Sequence, residues 1–463
     1  MKYSNIIFLV FLALLGFCCF SGCVPPFDVL PIRASALFFI FISIIASVVM
    51  KGARLGVASF CGLSLISIAG IMPFSSVMYG FSHGTPWLIF FAFCFSKAFM
   101  NSGLDKYISS WLMKRVQGSA PLFLRWVVTL DFVIAPFVPS NAARAGSSSV
   151  PIISGVIHQL KAQHGSKANS TVHYLVMGAF IGNLISSATF LTGTAPNLLA
   201  LSLAQEITQY SITWLDWFAY MAIPAVMAVS GIFFGLSRIM GIKKKDFLAI
   251  EASSTKDVKV GGKMYALIGI FLVVLFLWMF GRMWGISESQ SAFLGVALLV
   301  LTNVLSWDDV IKNEKAWDNF FWYGAFLAIA SGLGKMGVFV ALGDMMSSGL
   351  SDFSPIALYL IGGAVYVTSH YLFAGISPHV VSLLPVFLLM FLAKGVPPFV
   401  AVMTLSSLSV LSAAVTHFGS TVSPLFYGLN AVSTKVWWRV GGQCGLFFTV
   451  VMLGYGLCVW ALV

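Results

Sequence analysis

The sequence predicts an all-α polytopic membrane protein: about 11 transmembrane helices with two re-entrant hairpins, arranged as two inverted-topology repeats. Three observations carry that prediction. The 463 residues are 59% hydrophobic and 9% charged, whereas a soluble domain carries about 25% charged residues. The apolar residues gather into segments near the ~20 residues that a helix needs to cross a bilayer. The basic residues fall on one side once two short hairpins are left uncrossed.

The elements follow in order. The stretch "MKYSNIIFLVFLALLGFCCFSGC" reads as a first membrane helix within residues 1–30; its single early lysine and small-residue end also fit a signal-like segment. Spans follow at 32–50, 55–73 and 85–102. Segments 121–138 and 147–160 are too short to cross and meet at "VPSNAARAGSSSVP", which makes 121–160 a hairpin. Spans at 172–200 and 213–240 complete repeat one, 31–241. Residues 242–263, with their "KKK", form a cytoplasmic linker. Repeat two, 264–463, has spans at 264–284, 289–306 and 320–343, a hairpin at 355–394 around "FAGISPHVVSLLP", and spans at 398–428 and 442–463.

Charge tests this order. With the N-terminus inside, the lysines and arginines near 51–54, 106–125, 161–167, 238–263, 312–315 and 435–439 are cytoplasmic. Only Arg33, Arg282 and Lys394 fall outside, and counting either hairpin as a crossing spoils the asymmetry. The net charge of +11 reads as this bias, so nucleic acid is not expected as a partner. The seven cysteines are odd in number, sit in apolar settings and show no CxxC, which fits structural thiols.

Adding about 235 maps the spans of the first half, and its hairpin, onto those of the second. Five spans separate equivalent points, an odd number, so the second half is inverted. Inverted repeats with broken segments at matching places point to a secondary transporter, with its substrate site near the midplane at the repeat interface. Tip one reads Ser140-Asn141-Ala142-Ala143-Arg144; tip two reads Gly375-Ile376-Ser377-Pro378-His379, so Arg144 and His379 are equivalent. A break follows each hairpin: "TGTAPN" at 192–197 and "THFGSTVSP" at 416–424. Unwound backbone at membrane depth persists only where it is buried in protein or lines a polar cavity.

These residue types suit a small dianion. An intramembrane cation is functional by default. Arg144 can fork onto a carboxylate, and the helix N-termini at the tips add N–H donors and partial positive charge. Ser140, Asn141 and Ser377 offer neutral hydrogen bonds, as do Thr194, Ser420 and Thr421 in the breaks. His379 can gain a proton when the anion arrives. Bland readings compete: a snorkelling Arg144, a satisfied core His379, a mere kink at Thr194, Pro196 and Asn197, and a structural partner for Asp131. Lys335 in "SGLGK" lacks phosphate-loop spacing and reads as a helix break or a snorkelling lysine.

The motifs "PSNAARAG", "TGTAPN", "HYLFAGISPHVVSLLPVF" and "VTHFGST" resemble those of the divalent anion/sodium symporter family, in particular its 2-oxoglutarate/malate and citrate/succinate translocator branch. The resemblance covers nearly the whole chain beyond about the first 25 residues. It implies secondary active transport of C4 and C5 dicarboxylates by alternating access. The family carries Ser-Asn-Thr at both tips, against substrate carboxylates and beside sodium sites. Here tip one keeps Ser140 and Asn141 with Ala142 third, and tip two keeps only the hydroxyl of Ser377. Ile376 replaces an oxygen donor by hydrocarbon, which a hard cation cannot use. The expectation is therefore an antiporter with no required cofactor; a sodium-coupled symporter is the alternative, with a residual sodium site at Ser140, Asn141 and Gly193. An enzyme is not expected, since no HExxH and no paired aspartates suited to an intramembrane protease occur, and an anion channel is the remaining rival. The expected partners are a small dicarboxylate, the lipid bilayer and a second copy in a homodimer. The expected location is a bacterial inner membrane.

Overall fold

The computed structural model describes residues 30–49, 54–115, 118–250 and 260–462. The expected first helix or signal segment, and part of the linker, lie outside the described residues.

The first half runs α1 (Ile32–Val49), α2 (Leu55–Ile68), α3 (Gly84–Asn101), α4 (Leu104–Arg115) and α5 (Ala120–Ile134). A short helix, Asn141–Arg144, and a wide π-helical turn, Ala145–Ser149, lead into α6 (Val150–His164). Then come α7 (Asn169–Thr189), α8 (Ala195–Thr208) and α9 (Trp214–Ser230). The second half runs α10 (Gly262–Phe280), α11 (Glu288–Leu301), α12 (Glu314–Lys335), α13 (Val338–Gly349), α14 (Pro355–Ser369), α15 (Ile376–Ala393), α16 (Pro398–Leu411) and α17 (Thr434–Trp460). A short helix, Ser423–Tyr427, takes the place of α8. The order matches element for element, down to the bends: α3 turns into α4 by 58° and α12 into α13 by 68°.

Every predicted span beyond residue 30 contains a described helix. Six helical stretches are long and apolar enough to cross a membrane, or up to eight if each bent pair is one span. The chain is a multi-pass helical membrane protein. Two expected spans are each interrupted. The stretch 172–200 breaks after α7: Phe190 and Thr194 are extended, and α8 restarts with Pro196 in its first turn. Proline suits that position because its missing N–H would lack a helical partner anyway. The stretch 398–428 breaks at Thr416, which is likewise extended. Helix α7 is buried on all faces along most of its length, as is α16, and the two pack together in the interior. A helix apolar all round belongs there.

Candidate substrate site at the hairpin tips

Tip one is built on capping bonds. Ser140 Oγ accepts from Ala143 N–H at 3.2 Å, and Asn141 Oδ1 accepts from Ala142 N–H at 2.9 Å. Short polar side chains do this at helix starts because the first N–H groups have no helical acceptor. The tip is then stitched to the first break. Thr192 Oγ1 donates to Pro136 O at 2.7 Å, and Ala195 N–H donates to Pro139 O at 3.0 Å. Asn197 Nδ2 donates to Ser187 O at 2.8 Å and Phe190 O at 2.9 Å, which satisfies carbonyls freed by the break.

Arg144 completes the seam. Its Nη1 donates to Val138 O and Gly193 O, both at 2.5 Å, and its Nη2 donates to Ser187 Oγ at 2.6 Å. Its Nε lies 3.5 Å from Asp131 Oδ1, and both side chains are buried. Asp131 also accepts from Asn183 Nδ2, at 3.1 and 3.2 Å, and from the Ser186 hydroxyl. Arg144 thus ties together the tip, the break and α7 through both Nη groups, while its Nε makes the ion pair without a hydrogen bond.

Gly193 fits this seam because the backbones come close. A Cβ there would sit 2.6 Å from Ser187 O. Gly193→Ala forces two backbone segments apart, and overpacking of this kind costs about 1–3 kcal/mol. A lowered thermal unfolding temperature in detergent is the expected result; an unchanged one would show that the seam is loose.

Tip two is tied through its histidines. His370 Nε2 donates to Gly419 O at 2.8 Å in the second break, and Nδ1 faces Ser412 Oγ at 3.0 Å. His379 Nε2 lies 3.1 Å from Tyr366 O and 3.0 Å from Ser369 Oγ, with no part of the side chain exposed. The two imidazole centroids are 4.6 Å apart.

The tips converge on a cavity of about 400 Å³. Ser140, Asn141 and Ala142 line it from tip one, Thr194 from the first break, Gly375, Ile376 and Ser377 from tip two, and Thr421 from the second break. The facing wall is α12, with Lys315, Asp318, Asn319 and Trp322. Six of the predicted residues therefore meet in one place. Three do not. Arg144 does not line it, and both its Nη groups are bonded within the protein. His379 is a buried core histidine whose Nε2 bonds inside its own hairpin and whose Nδ1 has no partner among the described residues. Ser420 Oγ is 2.8 Å from Ser423 Oγ and caps Ser423 N–H at 3.1 Å. Asp131, read as structural, pairs with Arg144. Of the residual sodium site read from the sequence, Gly193 O accepts from Arg144, Ser140 Oγ from Ala143 N–H and Asn141 Oδ1 from Ala142 N–H, while Ile376 presents hydrocarbon.

One residue escaped the sequence, and one that it named has an unpaired group. Lys315, exposed and without an ion pair among the described residues, stands opposite the tips. In the sequence it is one more basic residue near a helix start, and nothing in its spacing shows which way it faces. The second is the amide of Asn141, only 4% exposed. Its Oδ1 accepts from Ala142 N–H and, at 3.4 Å, from the Thr421 hydroxyl, while its Nδ2 has no partner. A buried unpaired donor costs about 1–3 kcal/mol, and this one belongs to a residue of the cavity wall.

Known proteins agree with this architecture. The family described as "Sodium:sulfate symporter transmembrane region" matches residues 5–463. The putative malate transporter YflS of Bacillus subtilis is 31% identical over 438 residues, 92% of this chain and 91% of that one. The chloroplastic dicarboxylate transporter 2 of Spinacia oleracea is 30% identical over 425 residues, covering 90% of this chain and 75% of that one. Among solved structures, MtrF of Neisseria gonorrhoeae shares the fold with a TM-score of 0.57 at 12% identity, over 98% of this chain and 97% of that one. The YdaH transporter of Alcanivorax borkumensis does so with a TM-score of 0.56, again at 12% identity, over 83% and 88%. The chain is a transporter and not an enzyme, and it belongs to the sodium:sulfate symporter family, the divalent anion/sodium symporters that its tip motifs resemble.

Proposed function

We propose that the protein is a secondary active transporter of C4 and C5 dicarboxylates, working as an antiporter by alternating access in a bacterial inner membrane. The observation that carries this reading is the unpartnered Asn141 amide at the meeting point of both hairpin tips, across the cavity from the free ammonium of Lys315. One carboxylate takes the Asn141 N–H and the hydroxyls of Thr421 and Thr194; the other takes Ser377 and Lys315. A charge-assisted hydrogen bond is about twice as strong as a neutral one, so a dianion repays the desolvation of these donors better than a neutral solute. The volume lies within the range of small-molecule pockets. The names of the relatives, malate and dicarboxylate transporters, support the same substrate class.

Sodium-coupled symport is the second reading, favoured by the family description. Ile376 at the cavity wall favours exchange, because it removes a side-chain oxygen from tip two. The deciding assay is uptake of labelled malate or 2-oxoglutarate into proteoliposomes. Exchange predicts uptake into dicarboxylate-loaded vesicles at least tenfold above that into empty ones, and little change when sodium replaces potassium. Equal uptake into empty vesicles, driven by sodium, would establish symport.

A further inference from the structure

We propose that a second cavity, at the other end of α8, is the port through which the same anion reaches the site from the opposite side of the membrane, with Arg282 as its counter-charge. The inference rests on the transport reading above and adds a location that the tips do not supply. This cavity holds about 530 Å³. Thr85 at the start of α3, Arg282 and Glu288 around the α10–α11 connection, and Ser202 and Gln205 on α8 line it.

Three observations join the two cavities into one path. First, they share the broken segment: Leu191 lines the second cavity and Thr194 the first, three residues apart in the same break. Second, α8 runs from one to the other. Ala195 and Pro196 face the tip cavity, while Ser202 and Gln205 face the second. At 1.5 Å per residue, Ala195 to Ser202 spans about 10 Å.

Third, the cavities are equivalent within the repeated fold. The tip cavity is walled by the start of α12 and the second cavity by the start of α3, and these helices match between the halves. An inverted repeat turns equivalent helix starts to opposite membrane faces. The distribution of basic residues puts Lys315 on the cytoplasmic side and Arg282 on the other.

Chemistry completes the case. The positions equivalent to Lys315 by the spacing of about 235, Gly80 and Phe81, carry no charge. Arg282 supplies the cation from a neighbouring connection instead. It is exposed and makes no ion pair among the described residues. The nearby Glu288 carboxylate is engaged elsewhere, accepting from Trp214 N–H at 3.4 Å. A guanidinium so placed can take a carboxylate bidentately.

The test uses the full chain in proteoliposomes of known orientation, with malate exchange measured from each side. Arg282→Gln should raise the half-saturating malate concentration on its own side about three- to tenfold, the effect of one solvent-accessible charge, and leave the cytoplasmic side within a factor of two. Lys315→Gln, a change within the tip cavity itself, should raise that concentration on both sides. Gln205→Cys adds a measurement on a folded, active protein. A membrane-impermeant thiol reagent should block its exchange only from the non-cytoplasmic side, relative to the unsubstituted chain with its exposed Cys458. Equal effects of Arg282→Gln on both sides, no effect on either, or unimpaired exchange by modified Gln205→Cys would overturn the port. Wild-type vesicles that exchange no dicarboxylate would overturn the functional reading beneath it.

Discussion

Arg144→Gln is expected to unfold at a markedly lower temperature than the parent chain, with or without dicarboxylate present. The guanidinium binds the carbonyls of Val138 and Gly193, the hydroxyl of Ser187 and the carboxylate of Asp131. Glutamine reaches at most part of this set and leaves Asp131 as a buried charge without its counter-ion. Removing one partner of a buried pair costs about 3–5 kcal/mol, while replacing both by apolar groups is often near neutral. Arg144→Met with Asp131→Leu should therefore recover much of the lost stability. Transport should not recover with it, because the tip has still lost its tie to the break. Arg144→Lys should fall between, since an ammonium keeps the charge but not the planar fork that spans three elements. The measurements are thermal unfolding in detergent and exchange in vesicles with matched folded protein. A folded Arg144→Gln of parental stability that has lost only dicarboxylate affinity would return Arg144 to the substrate.

The same residue shows what the sequence could and could not reveal. That an arginine inside an apolar hairpin matters was legible from the cost of burying its charge. Which group it neutralises was not, because Asp131 and Arg144 are both candidates for outside partners until α7 brings Asn183, Ser186 and Ser187 around them. Spacing pointed to the hairpins and the repeat, since short apolar arms and Pro/Ser clusters are local signals. The breaks in α7–α8 and after α16 were marked by Thr, Gly and Pro, yet the apolar runs through them hid their depth. Lys315 was unreadable for another reason: its role depends on which face of α12 meets the tips, and α12 is too evenly apolar for its pattern to tell. His379 looked like a cation near the substrate and instead bonds within its hairpin beside His370, because a buried imidazole is as useful for bonding carbonyls as for holding charge.

Asn141→Asp should abolish exchange, and it tests the site where the argument is narrowest. The substitution changes almost no volume. The remaining oxygen can still accept from Ala142 N–H and the Thr421 hydroxyl, as Asn141 Oδ1 does now. A carboxylate at this position also begins the short helix Asn141–Arg144, where negative charge is favoured. What changes is the group facing the cavity: an N–H donor becomes an anion. A dianion then loses a charge-assisted hydrogen bond, worth about 1.5–3 kcal/mol, and meets a like charge in a partly desolvated site. The combined loss should exceed 100-fold in affinity, beyond detection in most exchange assays. Asn141→Ala removes the donor without adding charge and should retain weak exchange, with a half-saturating concentration raised about 10- to 100-fold. Binding of malate by isothermal titration, beside thermal unfolding of the same samples, separates affinity from folding. Malate binding by folded Asn141→Asp within a few-fold of the parent would place the substrate elsewhere than the hairpin tips.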